Sequence, residues 1–364
     1  MKSAVMYQWC RQLSVSGRKC LTLAEMGCLS AVRRKHTKAR YQADPQAKER
    51  KIKSHSAAKE SSVSILRDPG VVLVEKLTKE KLCEVLMQSV VYMKGPLVVI
   101  NKPQGLSVTG KQEEVSVSLL LAELRQCLGV RDDLHVVKAA PKESSGLVLL
   151  SSCHVTTKRI EEFYSECRKL LRPIATYCAV TVGVPSPAEG EIEVALKSER
   201  IGEQDMVVPV MNPSKGSLER REVKKTHTQY KVLDHTEGCA LVQMQPKTTF
   251  QNQLLVHTTL KFCTVLGDHT YSARVGKVLG EDIYLPVDVA LPRTQLLEEP
   301  ILRRMHFTQQ QMHRMPLHLH LHQLQLPSEH GEGKPVFISA PPPLFFQRTL
   351  QLLGLKLEEP TERI

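Results

Sequence analysis

Short apolar runs closed off by glycine or proline constrain this chain more than any other feature. Pro96-Leu97-Val98-Val99-Ile100, Gly146-Leu147-Val148-Leu149-Leu150 and the stretch 175–182 are too short for buried helices. Runs of this length, rich in Val, Ile and Leu and bounded by turn residues, read as strands. Residues 71–74 share that texture, and further strands are expected near 226–233, 239–245 and 316–325. Two segments follow a helical period instead. Leu119, Leu120, Leu121, Leu124 and Leu128 mark one within 115–130, and Ile160, Phe163, Tyr164, Cys167 and Leu170 mark another within 154–171. A closing helix is expected over 344–356. Strands outnumber helices and do not alternate strictly with them. That predicts an α+β fold with a central mixed or antiparallel sheet flanked by helices and loops, not a doubly wound one.

Charge divides the chain. The net charge over 364 residues is +12, yet residues 1–60 hold 14 basic and 4 acidic side chains, and the remainder holds 36 and 34. Lys2, Arg11, Arg18, Lys19, Arg33, Arg34, Lys35, Lys38 and Arg40 precede residue 41 with Glu25 as their one acid. A basic, Ser-containing, acid-poor leader has the composition of a mitochondrial transit peptide, which points to the matrix. The alternative is a basic arm that binds RNA by charge. The expected organisation is a transit peptide over 1–40, a basic polar linker over 41–68, one folded domain over 69–356 and a tail over 357–364. No apolar run approaches the ~18 to 20 residues of a membrane span. The ten cysteines include no C-x-x-C pair, so buried reduced thiols are expected, not a disulfide framework or a zinc site.

Gly105 to Lys111 matches G-x-x-x-x-G-K, but Gln112 stands where a P-loop needs Ser or Thr for Mg²⁺, which argues against nucleotide hydrolysis. The same stretch reads better as a strand, Val98-Val99-Ile100-Asn101-Lys102, running into a Pro103-Gln104-Gly105 turn. Proline presets φ there and glycine closes the turn. His318, His320 and His322 alternate on one strand. Same-side positions ~6.5 to 7 Å apart suit a single metal poorly, and no metal is expected.

Taken in order, several segments resemble the RluA-type RNA pseudouridine synthases. Asn101-Lys102-Pro103-Gln104-Gly105-Leu106 is similar to N-K-P-x-G-L. Glu143-Ser144-Ser145-Gly146-Leu147 is similar to the end of H-R-L-D-x-D/E-T-S-G-L-L-L. Tyr177 to Gly183 is similar to Y-x-A-x-V-x-G, and Gln253-Leu254-Leu255-Val256-His257 with Gly267-Asp268-His269-Thr270-Tyr271 resembles H-Q-I-R-x-H…G-D-x-x-Y. Thr226 to Val232, Leu317-His318-Leu319 and Ala340-Pro341-Pro342-Pro343 resemble later strands and a proline turn. The resemblance covers roughly residues 95–356.

The resemblance implies a pseudouridine synthase fold that flips a uridine from its stack into a pocket and isomerises it without cofactor or metal. It places substrate contacts at Asn101, Lys102, Pro103, Gly105, Ser145, Gly146 and Gln253. Tyr177 would stack on the base and is a candidate general base. The family's aspartate nucleophile falls on Pro141, its neighbours on Ala139 and Lys138, and the arginine that pairs with that aspartate on Leu255. Losing both partners together is physically coherent, because an unpaired buried arginine costs ~3 to 5 kcal/mol while a joint apolar replacement can be near neutral. Asp132, Asp133 and Glu143 are the nearby carboxylates, and Asp268 is expected to hold backbone amides in its turn. Two functions follow: a synthase with a degenerate site acting on mitochondrial RNA, with mRNA the leading class, or an inactive synthase-fold RNA-binding chaperone or assembly factor. Under either, RNA is the partner, further partners would be mitochondrial RNA-processing proteins, and Lys102, Lys111, Lys138, Lys142 and Arg172 are available for phosphates. An aromatic content of 4% argues against a multi-base stacking platform.

Overall fold

The computed structural model describes residue 65 and residues 74–110, 115–328 and 334–357, which lie in one compact unit spanning 64–364. The leader, the linker through 64, Lys111 and the 358–364 tail fall outside the described residues. Fourteen strands are described: β1 (Val90–Lys94), β2 (Leu97–Lys102), β3 (His135–Ala139), β4 (Ser145–Ser151), β5 (Ala175–Val182), β6 (Glu189–Ile201) and β7 (Gln204–Val210). They continue with β8 (Lys224–Thr236), β9 (Cys239–Pro246), β10 (Thr264–Val265), β11 (Val275–Val278), β12 (Glu281–Tyr284), β13 (Leu319–Leu326) and β14 (Val336–Ser339). The α-helices are α1 (Lys79–Gln88), α2 (Leu121–Cys127), α3 (His154–Lys169), α4 (Lys215–Glu219), α5 (Gln253–Thr259), α6 (Glu299–Arg304) and α7 (Leu344–Leu353).

The α+β expectation holds, with a mixed sheet of twelve strands whose main path is β1-β2-β4-β13-β5-β9-β8-β6-β7. Most strands foreseen from the apolar runs appear at nearly the expected bounds. At Val74 the structure forms a 3-10 turn through Lys76 instead of a strand end, while residues 71–73 lie outside the described set. The β6–β7 hairpin, β1, β3, α1 and α5 were not foreseen. β6 and β8 are long edge-side strands whose outward face is charged, so their apolar signal is diluted. α1 is delimited by Thr78, whose hydroxyl accepts from the Lys81 amide at 3.3 Å, a conventional N-cap.

Among the described residues, every pairing between the named strands is antiparallel except one. β4 and β13 run parallel over only two pairs, Ser145 with His320 and Gly146 with Leu321. Beyond those pairs the strands splay. β4 takes β3 as its antiparallel neighbour along 148–151, and β13 takes β14 along 323–326. The sheet is therefore two antiparallel halves joined by a short parallel seam. Gly146 is required there: its φ is +121°, and a Cβ would overlap the Leu321 main chain.

The two halves bury opposite faces. Val98, Ile100, Val148 and Leu150 pack with Leu82 and Leu86 of α1 and Leu124 of α2. On the other half, Cys178, Val180, Cys239 and Leu241 pack with Ile301 and Leu302 of α6 and Phe345, Phe346 and Leu350 of α7. Gly146 shares its face with Val148, and registers through Leu321 to Tyr177 carry that face onto β5. Tyr177 thus lies on the side that α6 and α7 do not cover. Among the described residues no cysteine forms a disulfide, and Cys83, Cys167, Cys178, Cys239 and Cys263 are buried. No described helix is long and apolar enough to cross a membrane.

Candidate active site

The seam gathers most of the residues singled out from sequence. At the end of β2 the chain turns through Pro103 and Gln104 to Gly105, whose φ of +83° is a left-handed value suited to glycine. The Gly105 amide donates to the Lys142 carbonyl at 2.8 Å, docking this turn onto the loop between β3 and β4. That loop is where the resemblance puts the nucleophile. It closes on itself, with the Ser144 amide and hydroxyl each 3.2 Å from the Pro141 carbonyl.

Lys102 holds the loop from beneath. It is fully buried, and its Nζ lies 2.8 Å from the Ser144 carbonyl, 3.2 Å from that of Pro103 and 3.4 Å from that of Lys142. An ammonium has three donors, and all three point at main-chain carbonyls. Burial lowers its pKa to about 7, with the Glu143 carboxylate working in the opposite direction. Lys102 is therefore placed as a clamp on the loop and not as a solvent-facing phosphate ligand. Asn101 has a similar part: its Nδ2 donates to the Pro341 carbonyl at 2.9 Å, tying β2 to the proline turn before α7.

Ser145 opens β4 with its hydroxyl 3.0 Å from His320 Nδ1. The other ring nitrogen lies 3.1 Å from the Ala340 carbonyl, which can only accept, so Nε2 carries the proton and Ser145 donates to Nδ1. His318 is enclosed between the Pro316 carbonyl and the Thr349 hydroxyl at 2.8 Å each, and His322 Nδ1 reaches Ala340 at 2.8 Å. Burial lowers the pKa of His318 to about 4 and of His320 to about 3, so both are neutral struts of the core. Among the described residues, no group of three His, Cys, Asp or Glu side chains could hold a metal ion.

Tyr177 is 7% exposed and sits one strand from Gly146 across Leu321. Burial raises its phenol pKa above the usual value. The hydroxyl therefore stays protonated, and an intrinsic phenolate base is disfavoured. Gln253 stands apart from the seam. Its Nε2 donates to the Thr228 hydroxyl at 2.9 Å and the His227 carbonyl at 3.2 Å, and its Oε1 accepts from Thr248 at 3.2 Å. It bolts α5 to β8. Leu255, two residues on, is buried.

Pro141, Lys142 and Glu143 form the exposed crown of the clamped loop. Asp133 is drawn toward Arg125 at 3.6 Å. Asp268 takes the turn role expected of it, its Oδ1 accepting from the Thr270 and Tyr271 amides at 2.9 Å each. Its Oδ2 is buried without a partner among the described residues, and burial raises the carboxyl pKa to about 6. Lys138 is half-buried, with its pKa lowered by burial and by Arg168, while Arg172 is exposed.

Two features beside α5 were not singled out as site residues from the sequence. Thr226 donates its one proton to the Val194 carbonyl at 2.7 Å, so its contact with His257 Nε2 at 2.9 Å makes the imidazole the donor. His257 Nδ1 then remains a buried acceptor without a partner among the described residues, and its pKa falls to about 3 by burial. Arg274 is 3% exposed, with Nε on the Leu285 carbonyl at 2.6 Å and its guanidinium 4.7 Å from the Tyr284 ring centre. Both depend on contacts between distant segments.

A two-half sheet with a short parallel seam and a clamped loop leading into it defines a mixed-sheet α+β class. The comparisons sharpen that class. The sequence profile described as RNA pseudouridylate synthase matches residues 96–259. The human protein named mitochondrial mRNA pseudouridine synthase RPUSD3 is 50% identical over 288 residues, covering 79% of this chain and 82% of that one. The zebrafish (Danio rerio) protein named pseudouridylate synthase RPUSD4, mitochondrial, is 29% identical over 75% of each chain. Among solved structures, human RNA pseudouridylate synthase domain containing 4 superposes with a TM-score of 0.60 at 26% identity, covering 77% of this chain and 98% of that one. The chain belongs to the RNA pseudouridylate synthase family, in its RluA-type branch.

Proposed function

We propose that this protein isomerises uridine to pseudouridine in mitochondrial RNA, with mRNA as the substrate class. The observation that carries the reading is the clamped 141–144 loop leading into β4, with Tyr177 on the same face of the sheet across Leu321 of β13. Support for the substrate comes from half-identity to a relative whose name specifies mitochondrial mRNA. The reaction breaks the N1–C1′ bond, rotates the uracil, forms a C5–C1′ bond and transfers the C5 proton to N1 or solvent. Tyr177 stacks on the base while it is detached. Gly105, Pro103 and the Ser145–Gly146 start of β4 shape the wall, and Lys102, Asn101 and Gln253 hold the elements that carry it. Glu143 is the one carboxylate in the loop and the first candidate for the missing nucleophile.

Residues 1–40 act as the transit peptide and the folded domain from about residue 69 works in the matrix, with other mitochondrial RNA-processing proteins as partners. A second reading has its own observation. Pro141 and Leu255 replace an ionic pair by two apolar residues, one at the surface and one buried. That favours a non-catalytic RNA-binding role. Pseudouridine mapping at base resolution on mitochondrial RNA incubated with the purified protein separates the two. New sites that disappear with Glu143→Gln support the enzyme. RNA retention without any new site supports the binding role.

A further inference from the structure

The face of the sheet opposite Tyr177 carries a pocket of mostly apolar surface with polar side chains in its wall. Neighbouring strand residues point to opposite faces, so Thr176 looks away from the seam that Tyr177 occupies. β13 helps to build this pocket through an irregularity. Its register slips by one between Leu321 and Gln323, which pairs Gln323 with Thr176 instead of continuing the Tyr177 row. The result is a cavity of about 280 Å³ lined by Arg172, Thr176, Gln245, Gln323, Gln325 and Phe337. No carboxylate lines it. Phe337 is 56% exposed, unusual for a phenyl ring on a short strand. The Arg172 guanidinium has no carboxylate partner among the described residues. The Gln245 amide donates to the Thr176 hydroxyl at 3.0 Å, and the Gln323 amide donates to the Ser339 hydroxyl on β14 at 3.3 Å, which leaves both amide oxygens available.

An exposed ring for stacking, a guanidinium for phosphate and amides for base edges are the groups that recognise an unpaired nucleotide. We infer that an unpaired nucleotide of the substrate strand, flanking the target uridine, docks in this pocket with its base on Phe337 and its phosphate against Arg172. The inference rests on the reading that the protein acts on RNA and adds a contact on the far side of the sheet. Arg172 and Tyr177 are five residues apart around the start of β5, about 16 Å of extended chain, which a few linked nucleotides can span.

The test uses the full chain and a short fluorescent single-stranded RNA containing a target uridine. Phe337→Ala is expected to weaken binding about tenfold, the scale of one base–aromatic stack. Arg172→Gln is expected to lower the dependence of log affinity on log salt by about one. Ultraviolet cross-linking should place RNA on the peptide that contains Phe337. Wild-type affinity and salt slope in both variants, with no cross-link to that peptide, would overturn the inference and leave the RNA reading standing. If the wild-type protein binds no RNA, the RNA reading falls and this inference with it. Thermal melting of each variant checks that the fold is intact.

Discussion

Removing the buried ammonium at Lys102 should change how stability depends on pH. An unfolded lysine keeps its proton to an ordinary 10.5, whereas the buried group gives it up near 7. Between those values the unfolded chain binds more protons than the native one, so native stability rises with pH across that window. Below pH 7 both states are protonated and the slope from this group vanishes. The full difference amounts to about 5 kcal/mol of burial cost in acid, and the slope near pH 8 to 9 is about 1 kcal/mol per pH unit. Lys102→Met fills a similar volume and cannot titrate. Urea unfolding of both proteins between about pH 7 and pH 9 should show the wild type gaining on the variant by about 2 to 3 kcal/mol. Other titrating groups cancel in the comparison. Stability curves that run parallel across this range would refute a titrating, desolvated Lys102. The same variant should also loosen the 141–144 loop, since the Ser144, Pro103 and Lys142 carbonyls lose their donor.

Gly146→Ala should destabilise the fold by more than about 3 kcal/mol, measured by chemical unfolding, because the added methyl must displace the Leu321 main chain at a left-handed φ. Tyr177→Ala should abolish uridine conversion while Tyr177→Phe retains it, read by base-resolution mapping, since the ring and not a phenolate does the work. Conversion lost equally in both would restore the general-base role. Asp268 works with the opposite sign from Lys102. Its folded pKa, raised to about 6, exceeds the ordinary 3.8, so native stability falls as pH rises through that interval, by about 3 kcal/mol in all. Asp268→Asn should remove that fall in urea titrations from about pH 4 to pH 7, while keeping an oxygen for the Thr270 and Tyr271 amides.

Apolar runs bounded by turn residues were enough to place β2, β4 and β5 almost residue for residue, because a strand buried on both faces needs an unbroken apolar segment, and a helical period placed α3. The ordered motifs were enough to assign the family, because turn residues such as Pro103 and Gly105 answer local backbone demands that sequence states directly. Pairing is a different matter. Nothing in β4 or β13 alone says that they meet in parallel over two residue pairs and then diverge. That encounter brings Tyr177 onto the face of Gly146 with Leu321 between them, and the slip of β13 against β5 sends Gln323 to the opposite face. Nor does a lysine in a turn motif say whether it faces solvent. Only the fold, by burying Lys102 under three carbonyls, makes it a clamp, and only the fold commits the Gln253 amide to β8. The strands and the turns were legible in the order of residues. Which polar groups are desolvated and which remain exposed was settled by the folded chain, because hydrogen-bond partners and exposure depend on segments far apart in sequence.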